Sequence, residues 1–252
     1  MGLRTALADK TPKEKVSFLW KHLKWHILIW MVGLLFLGYF LYQKITAPVF
    51  IMNGFLLNTE NSKEDTSAIE LADKFVKAYK VDTSDGNVIL NDDFTYVPND
   101  ESKKYESIRG GNEILIQKQD GNIDFIIGYM NAMQDLSYSP DDPIFVDLRE
   151  VLSKAEIEKY KPYFLYMDKA VEEKVAKAYE NDKDISSVKL PDCTNPDKMK
   201  EPVPILIDLS HCTKLADIYN SPTDKVVFGF VNGAPSYDLP LDFLTYITTE
   251  EE

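Results

Sequence analysis

After a basic opening segment the chain carries a long uncharged stretch and then alternates short apolar runs with amphipathic segments. Residues 27–42, ILIWMVGLLFLGYFLY, carry no charge. With Trp25 and His26 in front, the run approaches the roughly 20 apolar residues that cross a bilayer as a helix. Trp20 and Trp25 precede it, and Tyr39 and Tyr42 close it, as interfacial aromatics do. A helix in a soluble core would keep a polar face, and this run has none. The predicted organisation is a basic segment 1–24, a transmembrane helix 25–44 and a separate body 46–252. Within the first segment Thr11, Pro12 and Glu14 mark a helix start.

In the body, APVFIMNGFLLN (47–58) reads as a first strand. Ser67 opens a helix, with Glu70 placed for a capping box and Ile69, Ala72, Phe75, Val76 and Tyr79 on one face. Residues 87–97 supply a second strand. Residues 102–119 read as a helix with Tyr105, Ile108, Leu115 and Gln119 on one side, weakened by Gly110 and Gly111 at about 1 kcal/mol each relative to alanine. Two structures then fit ILIQKQDGNIDFIIG (114–128). Asp120-Gly121 between apolar runs signals a β-hairpin; the same letters also fit a helix end, a glycine stop and a buried strand. Residues 143–168 read as strand, helix and a second extended run from Tyr163. A short amphipathic helix follows, then a polar loop 181–202. VPILIDLS and KVVFGFVN are late strands, and PSYDLPLDFLTYI is a closing helix with Phe243, Leu244 and Ile247 inward. Strands alternating with helices predict an α/β layer fold.

Charge sharpens this division. The net charge is −13, but the first 44 residues hold seven basic and two acidic side chains, which leaves −18 on the remaining 208. An acidic body of this kind predicts no nucleic-acid partner, since phosphate binding depends on clustered Lys and Arg. Six of the seven basic residues precede the apolar run. The expected topology is therefore single-pass in the cell membrane, N-terminus in the cytoplasm and body outside. A cleaved signal peptide would need a shorter basic region and a small-x-small site, which QKITAPVF lacks. The lysines before the span suit anionic lipid headgroups.

Little in the body points to catalysis. It contains one histidine, His211. No nucleophile elbow, zinc-spaced Cys/His cluster or phosphate-cradling glycine loop is present. The expectation is a protein that is not an enzyme and uses no cofactor or metal. The acidic pairs Asp92-Asp93 and Asp141-Asp142 lack calcium-ligand spacing and read as solvated surface. Cys193 and Cys212 are the only cysteines. Outside the membrane they are expected to pair, closing a loop worth about 3 kcal/mol in the loop-entropy picture; the alternative is two free thiols.

Four stretches, taken in order, resemble the extracellular solute-binding proteins of ABC importers, with the type 2 periplasmic-binding-protein fold. AIELADKFVKAYK is similar to the first helix of that fold. LIQKQDGNIDFIIGYMNAMQDL resembles its helix, glycine turn and buried strand, with Gly121, Asp124, Ile126 and Ile127 in those places. PIFVDLREVLS resembles the strand and helix that follow, and KVVFGFVNGAPSYDLPLDFLTYI the closing element. The resemblance implies a helix stop at Asp120-Gly121 and a second, reduced lobe over roughly residues 155–220. It also implies a small-molecule ligand, or a degenerate fold that docks a membrane partner such as a transporter. In such a fold the cleft opens beyond the carboxyl ends of the strands. That nominates Asn58 after the first strand, Tyr129 and Asn131 after FIIG, and Ser210 after VPILIDL as ligand-binding residues.

Overall fold

The structure, a computed structural model, describes residues 11–46, 49–59, 66–98, 100–138, 143–181, 188–221 and 223–249. The chain divides into two compact units, Met1–Pro48 and Val49–Glu252.

Among the described residues, the first unit contributes the helix α1 (Pro12–Thr46). The Glu14 carboxylate accepts from the backbone N–H and hydroxyl of Thr11, at 2.9 and 2.8 Å, and so fixes its start. Within α1, Lys24–Tyr42 is long and apolar enough to cross a membrane. Its large side chains stand exposed around the helix, Trp30 and Phe36 each at 71%.

The second unit is a mixed α/β body built on one six-stranded sheet. Its strands are β1 (Phe50–Leu57), β2 (Asn87–Phe94), β3 (Phe125–Tyr129), β4 (Phe164–Asp168), β5 (Pro202–Asp208) and β6 (Val226–Phe230). They lie in the order β2-β1-β3-β6-β5-β4. β1 runs parallel to β2 and β3, and every later pairing is antiparallel. The helices are α2 (Ser67–Tyr79), α3 (Lys104–Gln119), α4 (Met130–Leu136), α5 (Leu148–Val151), α6 (Lys154–Tyr160), α7 (Lys169–Glu180) and α8 (Asp238–Thr248).

The pleat sorts side chains into two cores. Phe125, Ile127 and Tyr129 of β3 join Met52, Phe75 of α2 and Phe243 of α8 on one face. Ile126 joins Phe55, Ile114 of α3, Val227 and Val175 of α7 on the other. All of β3 is buried, as a strand covered on both faces requires.

Asp120-Gly121 is a helix stop. Gly121 adopts φ +66°, the left-handed region that favours glycine. Its N–H donates to Lys118 O at 3.0 Å, and Asn122 N–H donates to Gln117 O at 2.8 Å, closing α3 before β3 begins. The hairpin alternative is not formed.

Three expectations are corrected. Residues 155–220 build no second lobe: they supply β4 and β5, which complete the same sheet. Residues 144–146 form no strand beyond a single bridge between Phe145 and Val231, because β6 already pairs with β3 and β5. Cys193 and Cys212 are free thiols. Cys193 belongs to the core on one face of the sheet and Cys212 packs against the core on the other, so the sheet itself separates them.

Candidate site at the carboxyl edge of the sheet

β1 leads through α2 to β2 on one side. The chain then returns through α3, on the opposite face, to β3 on the other side of β1. The carboxyl ends of β1 and β3 therefore diverge at a switch point, where open α/β sheets place their ligand crevice. β5 runs parallel to β3, so its carboxyl end lies along the same edge.

All four nominated residues lie along this edge, but in different roles. Asn58, at φ +57°, is a clamp. Its side-chain amide donates to Tyr96 O at 2.6 Å, and its carbonyl accepts the Tyr96 N–H at 2.7 Å. Tyr129 is 9% exposed and meets Tyr219 edge-on, with ring centroids 5.3 Å apart. Tyr219 in turn donates to Ile127 O at 2.9 Å. Tyr129 is thus part of the core. Asn131 is exposed in the first turn of α4, and its side chain accepts from Ala132 N–H. Ser210 is exposed in a turn that its N–H makes with the Asp208 carboxylate at 2.9 Å.

None of these four lines the 690 Å³ cavity of the body. That cavity opens on the α3 side of the same edge. Leu115 of α3, Leu136 of α4, Val175 of α7, Ile144 and Leu190 make its apolar lining. Its polar groups include Tyr96, Tyr138, Asp135 and Asn112, with Asp100, Glu101, Lys104 and Ser107 also in the lining. The β2–α3 connection hangs on three supports. Asn58 holds Tyr96 from one side. The Ser107 hydroxyl accepts from Val97 N–H at 3.0 Å and donates to Val97 O at 3.2 Å. The Tyr96 hydroxyl donates to the Asp135 carboxylate at 2.5 Å. Burial, reinforced by that carboxylate, holds the Tyr96 phenol far above its usual range. Burial also pushes Tyr138 up to about 12. Its hydroxyl accepts Asp168 N–H at 3.0 Å.

Applying the carboxyl-end rule to β2 as well would have nominated Tyr96, two residues past that strand. Asp135 had no such signal: only the packing of α4 beside the β2–α3 connection brings it to Tyr96.

A second cavity, about 420 Å³, lies at the opposite edge, between α5 and the start of β5. It is lined by charged groups that partly neutralise one another, including Arg149 paired with Asp147 at 2.5 Å. Among the described residues no three His, Cys, Asp or Glu side chains are grouped to hold a metal. Asp141 and Asp142 lie outside the described residues.

No known protein family, curated protein or solved structure matches the chain. The molecule is defined at the level of class, a mixed α/β body that follows an apolar N-terminal helix.

Proposed function

We propose that the protein is a membrane-tethered, non-enzymatic solute-binding protein whose body lies outside the cell membrane. The observation that carries this reading is the 690 Å³ cavity beside the switch point. Small-molecule sites span roughly 300–1,000 Å³ and combine apolar walls with a few placed polar groups. Here the apolar walls come from three helices, and a hydrogen-bonded Tyr96–Asp135 pair supplies fixed polarity. The outward orientation rests on the six basic residues ahead of the apolar run.

Thermal-shift screening of the body against sugars, amino acids and short peptides tests the reading. A bound solute raises Tm by mass action. Ile108→Trp, at an exposed lining residue of the cavity, abolishes that rise. The reading fails if no solute shifts Tm, or if the shift survives in Ile108→Trp.

A second reading has its own support. Residues 155–220 complete one sheet and leave no lobe to close over a solute. That arrangement suits an interaction subunit docking a membrane partner such as a transporter. It requires that no solute shift Tm and that the same partner adduct form, on cross-linking in intact membranes, in wild type and Ile108→Trp alike.

A further inference from the structure

The geometry points to an organic ammonium ion with an apolar body as the ligand class of the 690 Å³ cavity. This rests on the cavity being a ligand site, and three features of its lining carry the choice.

The first is charge. Among the described residues, the titratable side chains lining the cavity are Asp100, Glu101 and Asp135, one lysine, Lys104, and the two tyrosines. Lys104 pairs with Glu101 at 3.3 Å. The Asp100 carboxylate accepts from the N–H and hydroxyl of Ser102, at 2.9 and 2.6 Å. Asp135 stands in no ion pair among the described residues, and the partner it has there is a neutral phenol.

The second is hydrogen-bond polarity. A phenol has one proton to give, and Tyr96 gives it to Asp135 at 2.5 Å. Toward the cavity, both groups then offer acceptor lone pairs only. A donor-rich cation satisfies them, whereas a carboxylate or phosphate ligand would meet like charge at Asp135.

The third is the walls. Tyr96 and Tyr138 put aromatic rings in the lining, and aromatic rings attract cations. Leu115, Leu136, Ile144 and Leu190 give an apolar body somewhere to lie. An inorganic cation would gain nothing from that surface, whereas an aryl- or alkylamine would use both ends of the site.

Three probes with the same apolar body separate these terms: 4-phenylbutylamine, 4-phenylbutanol and 4-phenylbutyrate. Full-length protein in zwitterionic nanodiscs is titrated with each by calorimetry, with empty nanodiscs subtracted. The amine is expected to bind about tenfold or more tighter than the alcohol, because a charge-assisted hydrogen bond forms only with the amine. The butyrate is expected to bind weakest. Asp135→Asn should bring the amine down to the level of the alcohol. Tyr96→Phe serves where Asp135→Asn fails to fold, and should narrow the amine preference by releasing Asp135. Equal binding of all three, or a preference for the butyrate, overturns the cation assignment while leaving the cavity a ligand site. If none binds, the assignment falls together with the cavity as a solute site.

Discussion

Gly110 tests whether the wall of the cavity is as rigid as its hydrogen bonds imply. It lies in the middle of α3, buried, with the β2–α3 connection pressed against it. A Cβ built there would run into the carbonyl oxygen of Thr95, well inside the 3.0 Å that real Cβ contacts respect. Its neighbour Gly111 is different: a Cβ there would lie 3.2 Å from the Tyr96 ring edge, which a small ring movement relieves. Helix propensity alone predicts that alanine at either site stabilises by about 1 kcal/mol. At Gly110 the obstacle is backbone, and that backbone cannot retreat freely. Asn58, Ser107 and Asp135 all hold residues 96 and 97. Moving Thr95 away strains or breaks at least one of these bonds, at about 1 kcal/mol each, on top of roughly 1–3 kcal/mol for overpacking. Gly110→Ala should therefore destabilise by about 1–3 kcal/mol net, and Gly111→Ala should change stability by less than about 1 kcal/mol. Urea titration of the body followed by circular dichroism measures both, and the tryptophan-free body makes fluorescence the poorer probe. If Gly110→Ala stabilises as much as Gly111→Ala, the connection is not held as described and the cavity wall is soft.

Four further outcomes follow from the same structure. Ile126→Asp puts an unpaired charge in the core beside Phe55 and Ile114, where Ile126 is 0% exposed, and should cost several kcal/mol, about 3 or more, read as failure to express folded body. Burial pushes Asp124 up to about 6, partly offset by the Asn53 N–H that it accepts at 2.7 Å. The folded body then keeps this proton to a higher pH than the unfolded chain, whose aspartates titrate near about 3.9, so stability falls as pH rises between the two; Asp124→Asn should remove that slope and gain about 2 kcal/mol at neutral pH, and a wild-type slope identical to the variant's would refute it. Unreduced, denatured protein should take up two alkyl groups at Cys193 and Cys212, whereas native Cys212, pushed up to about 11 by burial, should react slowly; a linked peptide in the mass spectrum would restore the bridge. Protease added to intact protoplasts should digest the body and spare an N-terminal tag, and a protected C-terminus would reverse the proposed topology.

The apolar helix was legible in the sequence because an uncharged run needs no knowledge of the rest of the chain. The stop at Gly121 and the strand after it were one of two readings that the local letters allowed, since Asp-Gly between apolar runs suits a hairpin as well. Helix phase was less legible. In α2 the pattern admits two stripes one residue apart, and the predicted one carried Ile69 and Tyr79 inward. The observed stripe is Ala68, Leu71, Ala72 and Phe75, while Ile69 is 62% exposed. The contact that selects between them is long-range: Phe75 meets Phe243 of α8 edge-on at 5.2 Å. The reduced second lobe was misread for a similar reason. Strand letters do not say which sheet a strand joins, and β4 and β5 join the sheet that β1 began.

The nominated site shows where such reasoning stops. The rule that ligands gather at the carboxyl ends of strands led to Asn58, and the switch point does lie there. But a residue at such an edge has two masters. The strand must end and its neighbour's connection must be held, and a short amide that tolerates positive φ meets both needs at once. Asn58 spends both ends of its amide on Tyr96. Tyr96 is thereby fixed, and with Asp135 it carries the polarity that reaches the cavity. The polar pair of the cavity therefore sits one layer beyond the residue that the rule selects. Asn58→Gly makes this separable, since glycine keeps the backbone conformation and loses only the clamp. It should lower stability modestly and loosen Tyr96, so that solute affinity falls although Asn58 touches no solute. Undiminished affinity in a folded Asn58→Gly body would show that Tyr96 does not need the clamp.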